Sequence, residues 1–308
     1  MPSARTHSGE VVVVSARVRG RAVTDQDDLL PSFFIVGPPR TGTSWLHEVL
    51  QPRTCLPRIK ETRFFDERFH RGLSWYRSNF PKSNLTVGEI GPTYFASPEA
   101  RCRIAEVVPQ ARVLCIFRNP VERIRSHYRL KRAYAMIPWE FEEAMARDSE
   151  LMESSKYATH FRAWQQSFGD DYVRAMFYED LKLDPQLFVN EVADFLEIPR
   201  FELVPSQISY VHSSEPLTQP RNYYRTRGAG MLADWFKAHR FDRIVAVAKR
   251  SPLRNWFLGG GAKFGDMGPE LVSRLYDQFR PEVEELEHIL GRDLAGWKYH
   301  ESRILSAV

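Results

Sequence analysis

Phe33 to Leu46, reading FFIVGPPRTGTSWL, sets an apolar run against a loop that holds Gly37, Arg40, Thr41, Gly42, Thr43 and Ser44. The first four residues suit a buried strand, and Trp45, Leu46, Val49 and Leu50 recur at helical spacing behind the loop. A strand, a glycine-bearing turn and a helix start bring together backbone N–H groups that have no intrahelical partner and carry partial positive charge. The chemistry implied is the binding of a phosphate-like oxyanion.

The spacing Gly37, Gly42, Thr43, Ser44 matches the nucleotide-loop pattern G-x-x-x-x-G-K-[ST], except that Thr43 stands at the lysine. Arg40, inside the loop, is the cation close enough in sequence to substitute for that charge. Arg118 follows a second apolar run, RVLCIF at 112–117, and Glu179 follows a third at 173–178. Ligands of alternating strand and helix sheets bind beyond the carboxyl ends of the strands, which places Arg40, Arg118 and Glu179 to meet in one crevice. The loop from Pro57 to Asp66 mixes Lys60 and Glu61 with Phe64 and Phe65. It either shapes a pocket or is a solvated turn anchored by its aromatics.

The elements that must position these groups alternate strand with helix, predicting an α/β protein with a central parallel sheet flanked by helices. Residues 1–30 read as a polar arm and 31–308 as one domain. Ser97 caps and Pro98 opens a helix running to about Val108, and Asn119 with Pro120 opens another. That second helix carries an apolar stripe, Val121, Ile124 and Tyr128, beside Arg123, Arg125, Arg129, Lys131 and Arg132. Tyr157 to Phe168 reads as an amphipathic helix closed by Gly169, and Asp184-Pro185 opens a helix ending near Leu196. Residues 203–230 show little periodicity and carry Arg221, Arg225, Arg227 and Gly228; such a segment is either a lid over a ligand or a surface loop. In the last part Pro269 starts a helical segment and Pro281 interrupts it.

Composition narrows the function by exclusion. With 43% hydrophobic and 27% charged residues in 308, the chain is of ordinary globular type. A formal charge of +4 is too small to argue for nucleic-acid binding, although clustered cations can still hold a small polyanion. Cys55, Cys102 and Cys115 lack metal-ligand spacing, so no metal is expected and a reducing, cytoplasmic setting is. The longest early apolar run, Val11 to Val14, is too short for a membrane span or a leader core. His47, His127 and His160 read as helix residues without a ligand role. Composition specifies no oligomeric state.

Taken together, the motifs resemble those of the sulfotransferases that use 3′-phosphoadenosine 5′-phosphosulfate (PAPS). Pro38 to Leu46 is similar to their loop P-x-[KR]-[ST]-G-[ST]-[ST]-x-L, and Arg118, Asn119, Pro120, Arg123, Ser126 and Tyr128 are similar to their R-[DN]-P-x-x-R-x-x-S-x-Y. Lys60-Glu61-x-x-Phe64-Phe65 looks like the K-E-x-x-F-F segment of the heparan sulfate branch and its bacterial relatives, as do GLSWYRSNFP at 72–81 and the block FYEDLKLDP to FLEIP. The likeness covers roughly residues 33 to 200. It departs at Ile90, where that branch has the lysine of E-K-S-P, and at Arg40, which replaces a lysine.

The resemblance implies a P-loop-like sulfotransferase fold and transfer of a sulfuryl group from PAPS to an acceptor hydroxyl of a carbohydrate or small metabolite, leaving 3′-phosphoadenosine 5′-phosphate (PAP). Arg40, Thr41, Gly42, Thr43 and Ser44 are then expected on the 5′-phosphosulfate, with Arg40 at the leaving group, and Arg118 and Ser126 on the 3′-phosphate. Trp45 and Tyr178 are either contacts to the base or plain core aromatics. Arg225, Arg227 and Gly228 correspond in place to a late loop closing over the 3′-phosphate. Glu61 is the expected general base, with Lys60 beside it holding its pKa down, and the competing reading of Glu61 is a surface ion pair. Two alternatives stand: a P-loop NTPase or kinase using Glu179 and Asp180 at a metal, and a silent nucleotide-binding protein.

Overall fold

Parallel pairing of strands separated by long crossovers organises the chain. The computed structural model describes residues 29–212, 217–238 and 260–299. All but the last two residues of the expected arm at 1–30 lie outside the described residues. Strands β1 (Phe33–Ile35), β2 (Gly88–Ile90), β3 (Arg112–Phe117) and β4 (Val173–Phe177) form a sheet in the order β2-β1-β3-β4. Every pairing in it is parallel, with Ile35 level with both Ile90 and Leu114. From β1 the chain crosses one way to β2 and then returns to β3 on the other side. The carboxyl ends of β1 and β3 therefore border a topological switch point, where open α/β sheets bind ligands.

Alternation along the strands splits the core between two faces. Phe34, Val36, Val113, Cys115 and Phe117 point to one, where they pack with α3 (Pro98–Val107), α7 (Tyr157–Phe168) and α12 (Pro269–Leu290). Phe33, Ile35, Leu114 and Ile116 point to the other, under α1 (Thr43–Leu50), α8 (Tyr178–Leu183), α9 (Pro185–Leu196) and α10 (Pro205–His212). Burial on both faces explains why the strands read as continuous apolar runs. The short helices α2 (Gly72–Arg77), α5 (Phe141–Arg147) and α6 (Ser149–Glu153) fill the crossovers, and α4 (Pro120–Ala133) leaves the end of β3.

The expected helix starts are present. Ser97 Oγ accepts from the N–H of Ala100 at 3.1 Å, and α7 ends at Gly169 with φ 87. Two expectations are corrected. Pro281 does not interrupt the last helix: α12 runs through it, because one missing N–H is outweighed by a buried stripe of Val272, Leu275, Tyr276, Phe279, Val283 and Leu286. The segment 203–230 is not irregular either. Its described residues form all of α10, then β5 (Thr218–Pro220) and the start of α11 (Tyr223–Ala238); β5 pairs antiparallel with β6 (Gly260–Lys263). No helix among the described residues is long and apolar enough to cross a membrane.

Candidate active site

The loop from β1 to α1 takes its shape from backbone geometry. At Gly37 a Cβ would come within 2.3 Å of Ile116 N, so glycine lets the loop lie on β3. Arg40 and Gly42 adopt left-handed backbone, with φ 79 and 92. An arginine held there costs about 1–2 kcal/mol, a strain found at functional loops. Thr41 closes the turn by donating its hydroxyl to Pro38 O at 2.8 Å. Helix α1 then starts with no side-chain cap and no acidic residue in its first turn. Its first intrahelical bond runs from Leu46 N–H to Gly42 O at 3.1 Å, so the N–H groups of Thr43, Ser44 and Trp45 precede it without an intrahelical partner.

On one side of this helix start stand the groups at the ends of β3 and β4. Arg40 Nε donates to Ser126 Oγ at 2.9 Å, tying the two expected anion loops together. Ser126 is carried by α4, whose first turn is fixed by Asn119 Oδ1 accepting from the N–H of Val121 and of Glu122 at 3.0 and 3.2 Å. The Arg118 guanidinium lies 4.9 Å from the centre of the Tyr178 ring, and that ring is 3.3 Å from where a Cβ on Gly42 would sit. Gly42, Tyr178, Arg118, Arg40 and Ser126 thus share one wall.

Glu179 reaches the same place but braces it, accepting the N–H of Asn119 at 3.1 Å. Burial raises its pKa, while hydrogen bonds from backbone N–H groups, Asn119's among them, and the Arg118 charge pull it down. Asp180 is held by Arg292 through two bonds of 2.6 and 2.7 Å. Asp180 is thus committed to an ion pair and Glu179 Oε1 to a backbone N–H, while Glu179 Oε2 is buried with no hydrogen-bond partner among the described residues.

Opposite that wall, Lys60 Nζ donates to Ser44 Oγ at 2.9 Å and draws the Glu61 loop onto the first turn of α1. Glu61 makes no ion pair among the described residues. It is exposed at its surface, yet protein crowds its carboxyl, and this burial raises the pKa against Lys60 and Arg63, which lower it. Glu150 and Asp66 add to the rise, while access to water tempers it. His47, on α1, is held down to about 4 by burial and by Lys60, so it is neutral at pH 7. Ile90, at the place of the family lysine, is buried among Trp45, Leu46 and their neighbours and brings no charge.

Several of the side chains named from the sequence make contacts within the fold. Trp45 is 4% exposed and donates its indole N–H to Gln207 O at 2.8 Å, so it packs α1 onto α10 and has no free face for a base. Arg123 is fully buried, donating to Ser155 Oγ at 2.7 Å and to Leu151 O, and burial lowers its pKa. Lys131 bonds Asp148 and Glu150, each at 2.6 Å. Arg225, Arg227 and Gly228 are exposed on α11, whose start is capped by Asn222 Oδ1 accepting from Arg225 N–H at 3.0 Å. That Asn cap was the legible sign of a helix.

Sequence reasoning missed the loop after β6. Phe264 packs edge-on to Tyr128 at 6.3 Å, Gly265 O accepts from Arg129 at 3.3 Å, and Asp266 pairs with Arg125 and Arg129. This loop, with β5, therefore abuts the helix that carries Ser126. Only its glycines and its acid marked it, and neither is a specific signal.

A sulfotransferase domain model matches residues 30–235 of the chain. The chain is 27% identical over 305 residues to a human protein named bifunctional heparan sulfate N-deacetylase/N-sulfotransferase 3, covering 89% of this chain and 32% of that one. Its mouse counterpart is 29% identical over 305 residues with the same coverage. The chain thus spans about a third of the length of these curated relatives. Among solved structures, a sulfotransferase from Alicyclobacillus acidocaldarius superposes with a TM-score of 0.63 at 22% identity, covering 88% of this chain and 100% of that one. At that identity the likeness shows the fold.

Proposed function

The chain belongs to the sulfotransferase domain family, and from that premise we propose that it transfers a sulfuryl group from PAPS to a hydroxyl of a carbohydrate or small metabolite. One observation carries the reading: two loops meet at the uncapped start of α1, through Arg40 on Ser126 and Lys60 on Ser44. The residues fit the donor. The N–H groups of Thr43, Ser44 and Trp45 suit a 5′-phosphosulfate, which carries less negative charge than the triphosphate that the lysine absent at Thr43 would serve. A 3′-phosphate, which ATP lacks, calls for a second anion site, and Arg118 with Ser126 supplies a cation and a hydroxyl for it.

Bound there, PAPS supplies an activated sulfuryl group, whose bond to the 5′-phosphate oxygen breaks as the acceptor oxygen bonds to sulfur, leaving PAP. Arg40 and the α1 N–H groups stabilise the charge gathering on the departing phosphate oxygen. The bond from Arg40 Nε to Ser126 Oγ holds this guanidinium beside the helix that carries the second anion site. Glu61 takes the acceptor proton, and its raised pKa suits a base better than an ordinary surface carboxylate. Tyr178 is assigned to the base of the nucleotide, a role supported by its ring lying under the Arg118 guanidinium and beside Gly42. We assign Trp45 to packing instead. Residues 31–308 are proposed to act as one domain, a view supported by α12 packing onto both α7 and α4.

A second acceptor class rests on a specific observation: the curated relatives carry N-sulfotransferase in their names, which points to an amino sugar. Labelled PAPS offered with matched hydroxyl and amine sugars separates the two. Titration with PAP, and with ATP plus Mg²⁺, tests the donor. Preference for ATP, with turnover abolished by a chelator, refutes sulfuryl transfer. Glu61→Gln is expected to leave PAP binding intact and to lower transfer at least about a hundredfold; unchanged transfer removes Glu61 from the mechanism.

A further inference from the structure

A carboxylate with no part in the chemistry above lies beneath the Glu61 loop. Glu89, in the middle of β2, is completely buried, and no cation pairs with it among the described residues. Its oxygens are instead surrounded by donors. Oε1 accepts from the Thr62 N–H at 3.2 Å, the Thr62 hydroxyl at 2.5 Å and the Tyr94 hydroxyl at 3.0 Å, while Oε2 accepts from the Tyr76 hydroxyl at 2.6 Å. Burial pushes its pKa up, and the bonds from Thr62, Tyr76 and Tyr94 hold it down.

Thr62 is the residue next to Glu61 and is itself fully buried. Every polar atom it has is engaged. Its N–H and hydroxyl go to Glu89, its carbonyl accepts from Arg68 at 3.1 Å, and its Oγ1 also accepts the N–H of Phe64 at 3.1 Å. One residue further, Arg63 turns into left-handed backbone with φ 51. An exposed carboxylate in a charged loop would ordinarily wander. Here its immediate neighbour is clamped to the edge strand β2 by hydrogen bonds buried away from water, where each is stronger than in solvent.

We propose that Glu89 is a positioning residue: through Thr62 it holds the Glu61 loop on β2 and so sets where the Glu61 carboxyl stands relative to the start of α1. This rests on the role of Glu61 given above. It adds that the base is aimed from the sheet, by a residue that never meets substrate. Loss of the clamp should reduce turnover by misplacing Glu61, while the nucleotide wall, built from β1, β3 and β4, stays in place.

Two measurements on the full chain test this separately from the premise. Amide hydrogen exchange is followed over residues 60–66 in Thr62→Val, Thr62→Ser and Glu89→Gln, each saturated with PAP. Faster exchange confined to that segment in Thr62→Val and Glu89→Gln, with wild-type behaviour in Thr62→Ser, is expected; unchanged exchange in both would overturn the clamp whatever Glu61 does. The second is a cycle on transfer. Thr62→Val should lower kcat about tenfold with KM for PAPS and PAP affinity within about twofold, and should cost nothing further in a Glu61→Gln background. An additive loss in that background overturns the positioning role. Unchanged transfer in Glu61→Gln alone refutes the base assignment, and leaves the exchange result to decide the clamp.

Discussion

Two loops approach the start of α1 from opposite sides, and they are held by different means. The loop at 36–42 is set by its backbone: Gly37 pressed on Ile116, left-handed turns at Arg40 and Gly42, and one short bond from Thr41 to Pro38. The Glu61 loop is set by side chains, with Thr62 bonded to a buried Glu89 that also receives Tyr76 and Tyr94. A cradle made of backbone leaves its N–H groups for an anion. A clamp made of side chains leaves the neighbouring carboxylate for a proton. On the proposed roles, donor binding and proton removal are anchored by different means, so each is expected to be open to damage without the other.

The harshest test of this division is Gly37→Ala. With Ile116 backbone 2.3 Å from the new methyl, the loop must move, and we expect a loss of about 3 kcal/mol in urea unfolding together with loss of PAP binding. Retained PAP affinity would show that the backbone does not hold the cradle. Arg118→Ala should be gentler on the fold and selective for ligand, weakening PAP roughly thirtyfold, the scale of a charge-assisted hydrogen bond, with little change for adenosine 5′-monophosphate. Calorimetry showing equal loss for both nucleotides would refute its place at the 3′-phosphate.

The smallest effect is expected at His47 on α1. His47 is buried neutral, with its pKa at about 4 against 6.5 when unfolded, so the unfolded chain takes up the proton first as pH falls. Stability from this site is present above pH 6.5 and is lost between 6.5 and about 4. His47→Gln should therefore flatten the decline of unfolding free energy across that window while leaving its value at pH 7 within about 0.5 kcal/mol of wild type, as read by urea unfolding. A decline as steep as in wild type would assign the acid sensitivity to other groups.

How much of this was legible beforehand follows from the range of the forces involved. Strand β3 and its helix could be read because Asn119 and Pro120 act within one turn, and the first loop because two glycines mark its bends. Arg40 and Ser126 could be listed from their motifs, although only the fold shows them bonded. Trp45 could be read two ways, and Arg123 and Lys131 only as basic helix positions, because burial and partners such as Gln207, Ser155 and Asp148 depend on elements far along the chain. Helix α11 escaped because Gly228 and Gly230 dilute its pattern, and α12 was cut short because a proline rule ignores tertiary packing. Glu89 was not singled out, because four donors converging on it from three segments leave no periodicity to read.

The strand order has a consequence for how the molecule is made. β1 pairs with β2 and β3, which begin at Gly88 and Arg112, so a growing chain that has released the phosphate loop has no strand on which to lay it. Contacts this distant in sequence form slowly, and until they do the apolar residues of β1 lack cover. Gly37 rests on Ile116 itself, which makes the cradle one of the later features to be completed. Gain of nucleotide affinity during refolding would then serve as a clock for closure of the sheet.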